Sequence, residues 1–109
     1  MGLFSFFKRK NNAISESLSI DWPEEMLADD VLNCCEQCGA FEALDIADTD
    51  LIQKICEDVA SLFNSAEKSK ETLENSFIQG FENNGFTPSA KIASMFISCY
   101  LESYVYYNA

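Results

Sequence analysis

At 109 residues the chain has room for one hydrophobic core, and 48% hydrophobic with 13% aromatic residues is too apolar for a disordered acidic tail. It carries a formal charge of −11 at pH 7; all 18 acids fall in residues 13–109, which hold only four of the seven bases. Direct nucleic-acid binding is therefore not expected, because phosphate binding needs a basic footprint.

The chain reads as a short basic and apolar segment, residues 1–12, ahead of a single acidic helical domain, residues 13–109. The segment places Leu3, Phe4, Phe6 and Phe7 before Lys8, Arg9 and Lys10. A secretory signal has the reverse order and a longer apolar stretch. The myristoylation pattern wants Ser or Thr at the sixth position, where this chain has Phe6. The segment therefore either docks on the domain, frays, or lies on an anionic membrane surface, for which it is short. No later stretch approaches the run of about 20 apolar residues that spans a bilayer. Five cysteines without an export signal place the chain in a reducing cytoplasm with free thiols.

Residues 13–20 read as loop or a brief element. The first helix is predicted from Pro23 to Cys38, with Pro23 in its first turn, where a missing N–H costs nothing. At 100° per residue Leu27, Val31, Cys34, Cys35 and Cys38 form one stripe, and Glu25, Asp29, Leu32 and Glu36 share the opposite side. Gly39 is placed to end the helix in a left-handed conformation, and Ala40 to Asp48 leaves space for a short extra turn. The second helix runs from Thr49 to Phe63, with Leu51, Ile55, Val59 and Leu62 inward and Asp50 and Glu57 outward. Lys54 lies four residues from both Asp50 and Asp58 and is expected to be neutralised locally. The third spans Ala66 to Glu82 with Ala66, Leu73, Phe77, Gly80 and Phe81 as its stripe, and Asn84-Gly85 ends it. The fourth, from Pro88 to Tyr106, is apolar apart from a strip of Lys91, Ser94, Ser98 and Glu102, which marks it as largely buried. The fold class is all-α: a compact bundle of about four main helices.

Chemistry finds little support in these residues. Cys35 and Cys38 form a CxxC, but a zinc site needs four ligands, and the other thiols outside the cluster are the isolated Cys56 and Cys99, with no histidine in the chain. A thioredoxin-like pair would lack its βαβ setting, so the clustered cysteines read as small core residues. Ser-His and Cys-His catalysis are excluded in their common forms, and the carboxylates that can be placed point into water rather than into the dry pocket that tunes a catalytic acid. Counted from Asp48, the EF-hand pattern needs Gly and Glu where this chain has Gln53 and Val59. No glycine-rich phosphate loop is present. The chain is read as no enzyme, with no cofactor, no metal and no small-molecule ligand.

Charge patterning points to binding. From Glu16 to Asp58 there are thirteen carboxylates and one base, Lys54, whereas a surface that is merely soluble intersperses both signs. Leu32 ringed by Glu25, Asp29 and Glu36 has the apolar-centre, charged-rim arrangement of an interface. Together with Asp45, Asp48, Asp50 and Glu57 these residues form the expected partner-binding set. The partner they suit is a basic protein, and the role expected is that of an immunity protein, antitoxin or other inhibitor, with a nuclease toxin domain as one target whose groove it would occlude. The alternative is a structural or adaptor module, held at a membrane by residues 1–12 or self-associating through the aromatic C-terminal helix, with Tyr104, Tyr106 and Tyr107 as interface residues.

Overall fold

The computed structural model describes residues 19–108, so the segment 1–12 lies outside the described residues. Strand β1 (Ser19–Asp21) is followed by helices α1 (Ala28–Cys38), α2 (Ala40–Ala43), α3 (Thr49–Asn64), α4 (Lys70–Glu82) and α5 (Ala90–Tyr104), and the chain closes with strand β2 (Tyr106–Asn108). The architecture is an all-α bundle of four substantial helices, with α2 as the expected extra turn. Helix α1 packs against α3 on one side and α5 on the other, and α4 packs against both α3 and α5.

Helix α1 begins five residues later than predicted, and Pro23 is not in its first turn. The reason is a set of side-chain partners that satisfy the backbone before it. Asn64 accepts from the Met26 N–H at 2.8 Å and donates to the Met26 carbonyl at 2.9 Å. The Lys68 ammonium donates to the Pro23 carbonyl at 2.8 Å and also to that of Glu24. Backbone groups satisfied this way gain nothing from a helical turn. Met26 is therefore buried while Leu27, predicted on the inner stripe, caps the helix and is 53% exposed. Cys38, at the stripe's other end, is only half-buried. Gly39 ends the helix at φ 72°, donating to the carbonyls of Cys35 and Glu36, as its position predicts.

Helix α3 spans the predicted residues and is capped by Asp48, whose Oδ1 accepts from the N–H groups of Asp50 at 2.9 Å and Leu51 at 3.4 Å. Its inner face is turned from the predicted one: Cys56, Ala60 and Phe63 are buried beside Ile55 and Val59, while Leu51 and Leu62 stay half-buried. Helix α4 starts at Lys70 because Ser69 and Thr72 form a capping box, at 3.1 and 3.0 Å, which leaves Ala66 exposed outside the helix. Ser89 caps α5 by accepting from the Ile92 N–H at 3.2 Å, so Pro88 sits one residue before the cap rather than in the first turn.

The C-terminal residues predicted as the end of the fourth helix are instead a strand. Val105 is extended, and Ile20 and Asp21 pair antiparallel with Tyr107 and Tyr106. Helix α5 buries Ala93, Phe96, Tyr100 and Leu101 and leaves its polar strip at the surface, widened by the exposed Met95.

Aromatic rings link these elements in one run. Trp22 meets Phe63 at 5.6 Å, Phe63 meets Tyr100 at 6.4 Å, and Tyr100 stacks on Phe96 at 6.4 Å. The run continues through Phe96–Phe77 at 4.4 Å, Phe77–Phe81 at 4.8 Å and Phe81–Phe41 at 5.7 Å. Each such pair adds about 0.5–1.5 kcal/mol beyond burial. Its last member, Phe41, anchors the short α2 to the core and so fixes what α2 presents at the surface.

Candidate functional site

Leu32 is not an isolated apolar residue among acids, as the helical wheel suggests. It is half-buried and lines a groove of about 380 Å³ with Cys35, Glu36 and Gly39 of the α1 end, Phe41 and Glu42 of α2, and Ile52 of α3. The floor is apolar, and the two exposed carboxylates Glu36 and Glu42 stand at its rim. The left-handed Gly39 turns the chain sharply enough to bring α2 beside α1, and Phe41 locks it there.

The predicted acidic residues divide into those brought together and those with local tasks. Burial pushes the Cys56 thiol up to about 12, and the charges of Glu36 and Asp29 of α1 and Glu57 of α3 lie near enough to add to the rise. Glu25 and Glu57 line a second groove, between the segment before α1 and the C-terminal half of α3, together with Asn64. Thus Glu25, Asp29, Leu32, Glu36 and Glu57 share the α1/α3 face. Asp48 is occupied as the α3 cap, and Asp50 sits in the first turn of α3, where negative charge favours the helix dipole. Asp45 is exposed at φ 58°, a left-handed conformation that Asp tolerates better than most residues.

Sequence reasoning missed Glu42 and Ile52. Glu42 lies in a stretch that the sequence marks only as space for an extra turn, and Ile52 falls outside the inner face that the periodicity draws through Leu51 and Ile55. Lys54 pairs with Asp58 at 2.8 Å, the only ion pair among the described residues, and Asp50 keeps its charge uncompensated there. Burial opposes ionisation of Asp58, but hydrogen bonds from Lys54 and Asn84 and the Lys54 charge hold its carboxyl below the ordinary value.

The thiols are free, and the surroundings of Cys34, Cys35, Cys38 and Cys56 suppress their reactivity. Burial raises Cys34, Cys35 and Cys38 above the ordinary value, and neighbouring thiols add to the rise. A thiol held protonated is a poor nucleophile and a poor metal ligand at neutral pH. Among the described residues no group of three or more Cys, Asp or Glu side chains is arranged to hold a metal ion. Nor, among them, is any helix long and apolar enough to cross a membrane.

Comparison with known protein families, with curated proteins and with solved structures finds no match.

Proposed function

We propose that this chain binds a positively charged protein and occludes its active surface, in the manner of an immunity protein, antitoxin or other inhibitor acting in the cytoplasm, with a nuclease toxin as a fitting target. The observation that carries the reading is the groove between α1, α2 and α3: an apolar floor of Leu32, Phe41 and Ile52 under a carboxylate rim of Glu36 and Glu42. A partner presenting an apolar side chain flanked by lysine or arginine would bury the first and pair the second. Asp29, Glu25 and Glu57 extend the same sign of charge along the face, which would steer association at up to about 10⁸–10⁹ M⁻¹s⁻¹ at low salt. No catalytic step belongs to this role.

The test is affinity capture with the full chain from its native source at low salt, followed by elution with rising salt and mass spectrometry. A stoichiometric basic protein released by salt is the expected result. Recovery of the chain alone would count against it.

One observation favours the alternative of self-association. The two-stranded ribbon leaves Tyr106 71% and Tyr107 49% exposed, with Ile20 beside them. Sedimentation velocity of the wild type and of Tyr106→Lys would decide this reading; a concentration-independent monomer removes it.

A further inference from the structure

We propose that the groove between α1, α2 and α3 also receives the chain's own N-terminal segment, with the apolar Leu3, Phe4, Phe6 and Phe7 on Leu32, Phe41 and Ile52 and the bases Lys8, Arg9 and Lys10 against Glu36 and Glu42. This rests on the reading of the groove as a recognition surface and names the chemistry that it recognises: aromatic side chains followed directly by positive charge.

Charge complementarity selects this occupant. Three of the chain's seven bases are consecutive at residues 8–10, with no acid before Glu16. Of the other four, Lys54 is paired with Asp58 and Lys68 is spent on the Pro23 and Glu24 carbonyls. Since Lys54–Asp58 is the only ion pair among the described residues, Glu36 and Glu42 face no base there. The order of the segment also suits the order of the site, which has an apolar floor and an acidic rim. At about 380 Å³ the groove is within the roughly 300–1,000 Å³ of ligand pockets.

The tether reaches across most of the molecule: the stretch from Phe7 to Ser19 spans at most roughly 40 Å, against a longest molecular dimension of 42 Å. Covalent attachment over so short a stretch gives about millimolar effective concentration at a site it can reach, so a contact too weak to hold a free peptide still fills the site. An external basic partner would then have to displace the segment, and only one offering more contact than these few residues would succeed. The groove would thereby discriminate against casual polycations.

Carbodiimide crosslinking of the full-length chain, without any partner, tests this directly. The expected result is zero-length amide crosslinks from Lys8 or Lys10 to Glu36 or Glu42 in excess over those to the exposed Glu67, Glu71, Glu74, Glu82 and Glu102. In a mixture of isotopically light and heavy chains, these links join residues of one isotope only. Phe6→Ser with Phe7→Ser should reduce them at least fivefold while the helical circular dichroism is unchanged. Crosslinks spread over all exposed glutamates, links between light and heavy chains, or no response to the double substitution would each overturn the proposal. So would sedimentation of the full chain with vesicles containing phosphatidylserine, which would give the segment to a membrane. Because no partner is present, failure here leaves the affinity capture above as a separate judgement on partner binding. A failed capture with intact crosslinks would sink the partner reading alone.

Discussion

Replacing Gly80 by alanine sets two known effects against each other at the α3/α4 seam. In an exposed helix interior Gly→Ala is favourable by about 1 kcal/mol. At Gly80, however, an added Cβ would fall inside the van der Waals surface of Val59 Cγ2 and come within 3.0 Å of the Val59 nitrogen and 3.2 Å of its Cα. The methyl group cannot simply rotate away, because a helical valine has one strongly preferred rotamer, and the backbone atoms can yield only if the helices separate. Overpacking of this kind costs about 1–3 kcal/mol. With two backbone contacts the upper end applies, leaving a net loss of about 1–2 kcal/mol after the propensity gain. The melting temperature should then fall by roughly 4–16 °C for a domain of this size. Urea unfolding followed by helical circular dichroism and by the fluorescence of Trp22, which packs on Phe63 of α3, measures the loss. Val59→Ala combined with Gly80→Ala should recover part of it, as the Cγ2 overlap is removed. Stability equal to or above the wild type in Gly80→Ala would refute the close approach of α3 and α4.

Asn64→Ala removes both bonds to the Met26 backbone and leaves a part-buried N–H and carbonyl without partners, a loss of about 2–3 kcal/mol by urea unfolding; a loss under 0.5 kcal/mol would show that the segment before α1 is held otherwise. The Tyr100 hydroxyl is buried without a hydrogen-bond partner among the described residues, so Tyr100→Phe should be neutral or stabilising by up to about 1 kcal/mol. A destabilisation beyond that range would mean that the hydroxyl is satisfied by a buried water. Raised thiol values give the pH dependence its sign: Cys56 ionises near 9.0 when unfolded and about 12 when folded, so its contribution is fully present below pH 9 and is lost as pH rises toward 12. The urea midpoint should therefore drop through this range, and drop less steeply in Cys56→Ala; parallel curves would contradict the burial argument.

The bundle was legible because its punctuation is local. Asp48, Gly39 and the apolar periodicity of residues 49–63 each act within a turn or two of chain, and α3 and the end of α1 fall where they predict. What the sequence concealed depends on distant partners. Pro23 reads as a helix start, yet Asn64 and Lys68 occupy the backbone that a first turn would have used. The run Tyr104 to Tyr107 continues a helical pattern, and only the pairing of Tyr106 and Tyr107 with Asp21 and Ile20 makes its end a strand. The candidate site followed the same rule. Glu25, Asp29 and Glu36 could be grouped from one helix, whereas the groove needs Glu42 on α2 and Ile52 on α3. Their approach to Leu32 follows from the turn at Gly39 and the burial of Phe41, neither of which a helical wheel contains.

The proposed role rests on a carboxylate-rimmed groove that would receive a basic partner. Its most direct test is the affinity of the captured partner for the wild type and for Glu36→Lys with Glu42→Lys, by calorimetry at 50 and 300 mM salt. Both side chains are exposed, so the helical signal and melting temperature should hold. At least a tenfold weaker complex is expected for the variant at low salt, with the gap narrowing at high salt as the exposed charges are screened. Equal affinities for the two proteins at both salt concentrations would contradict it.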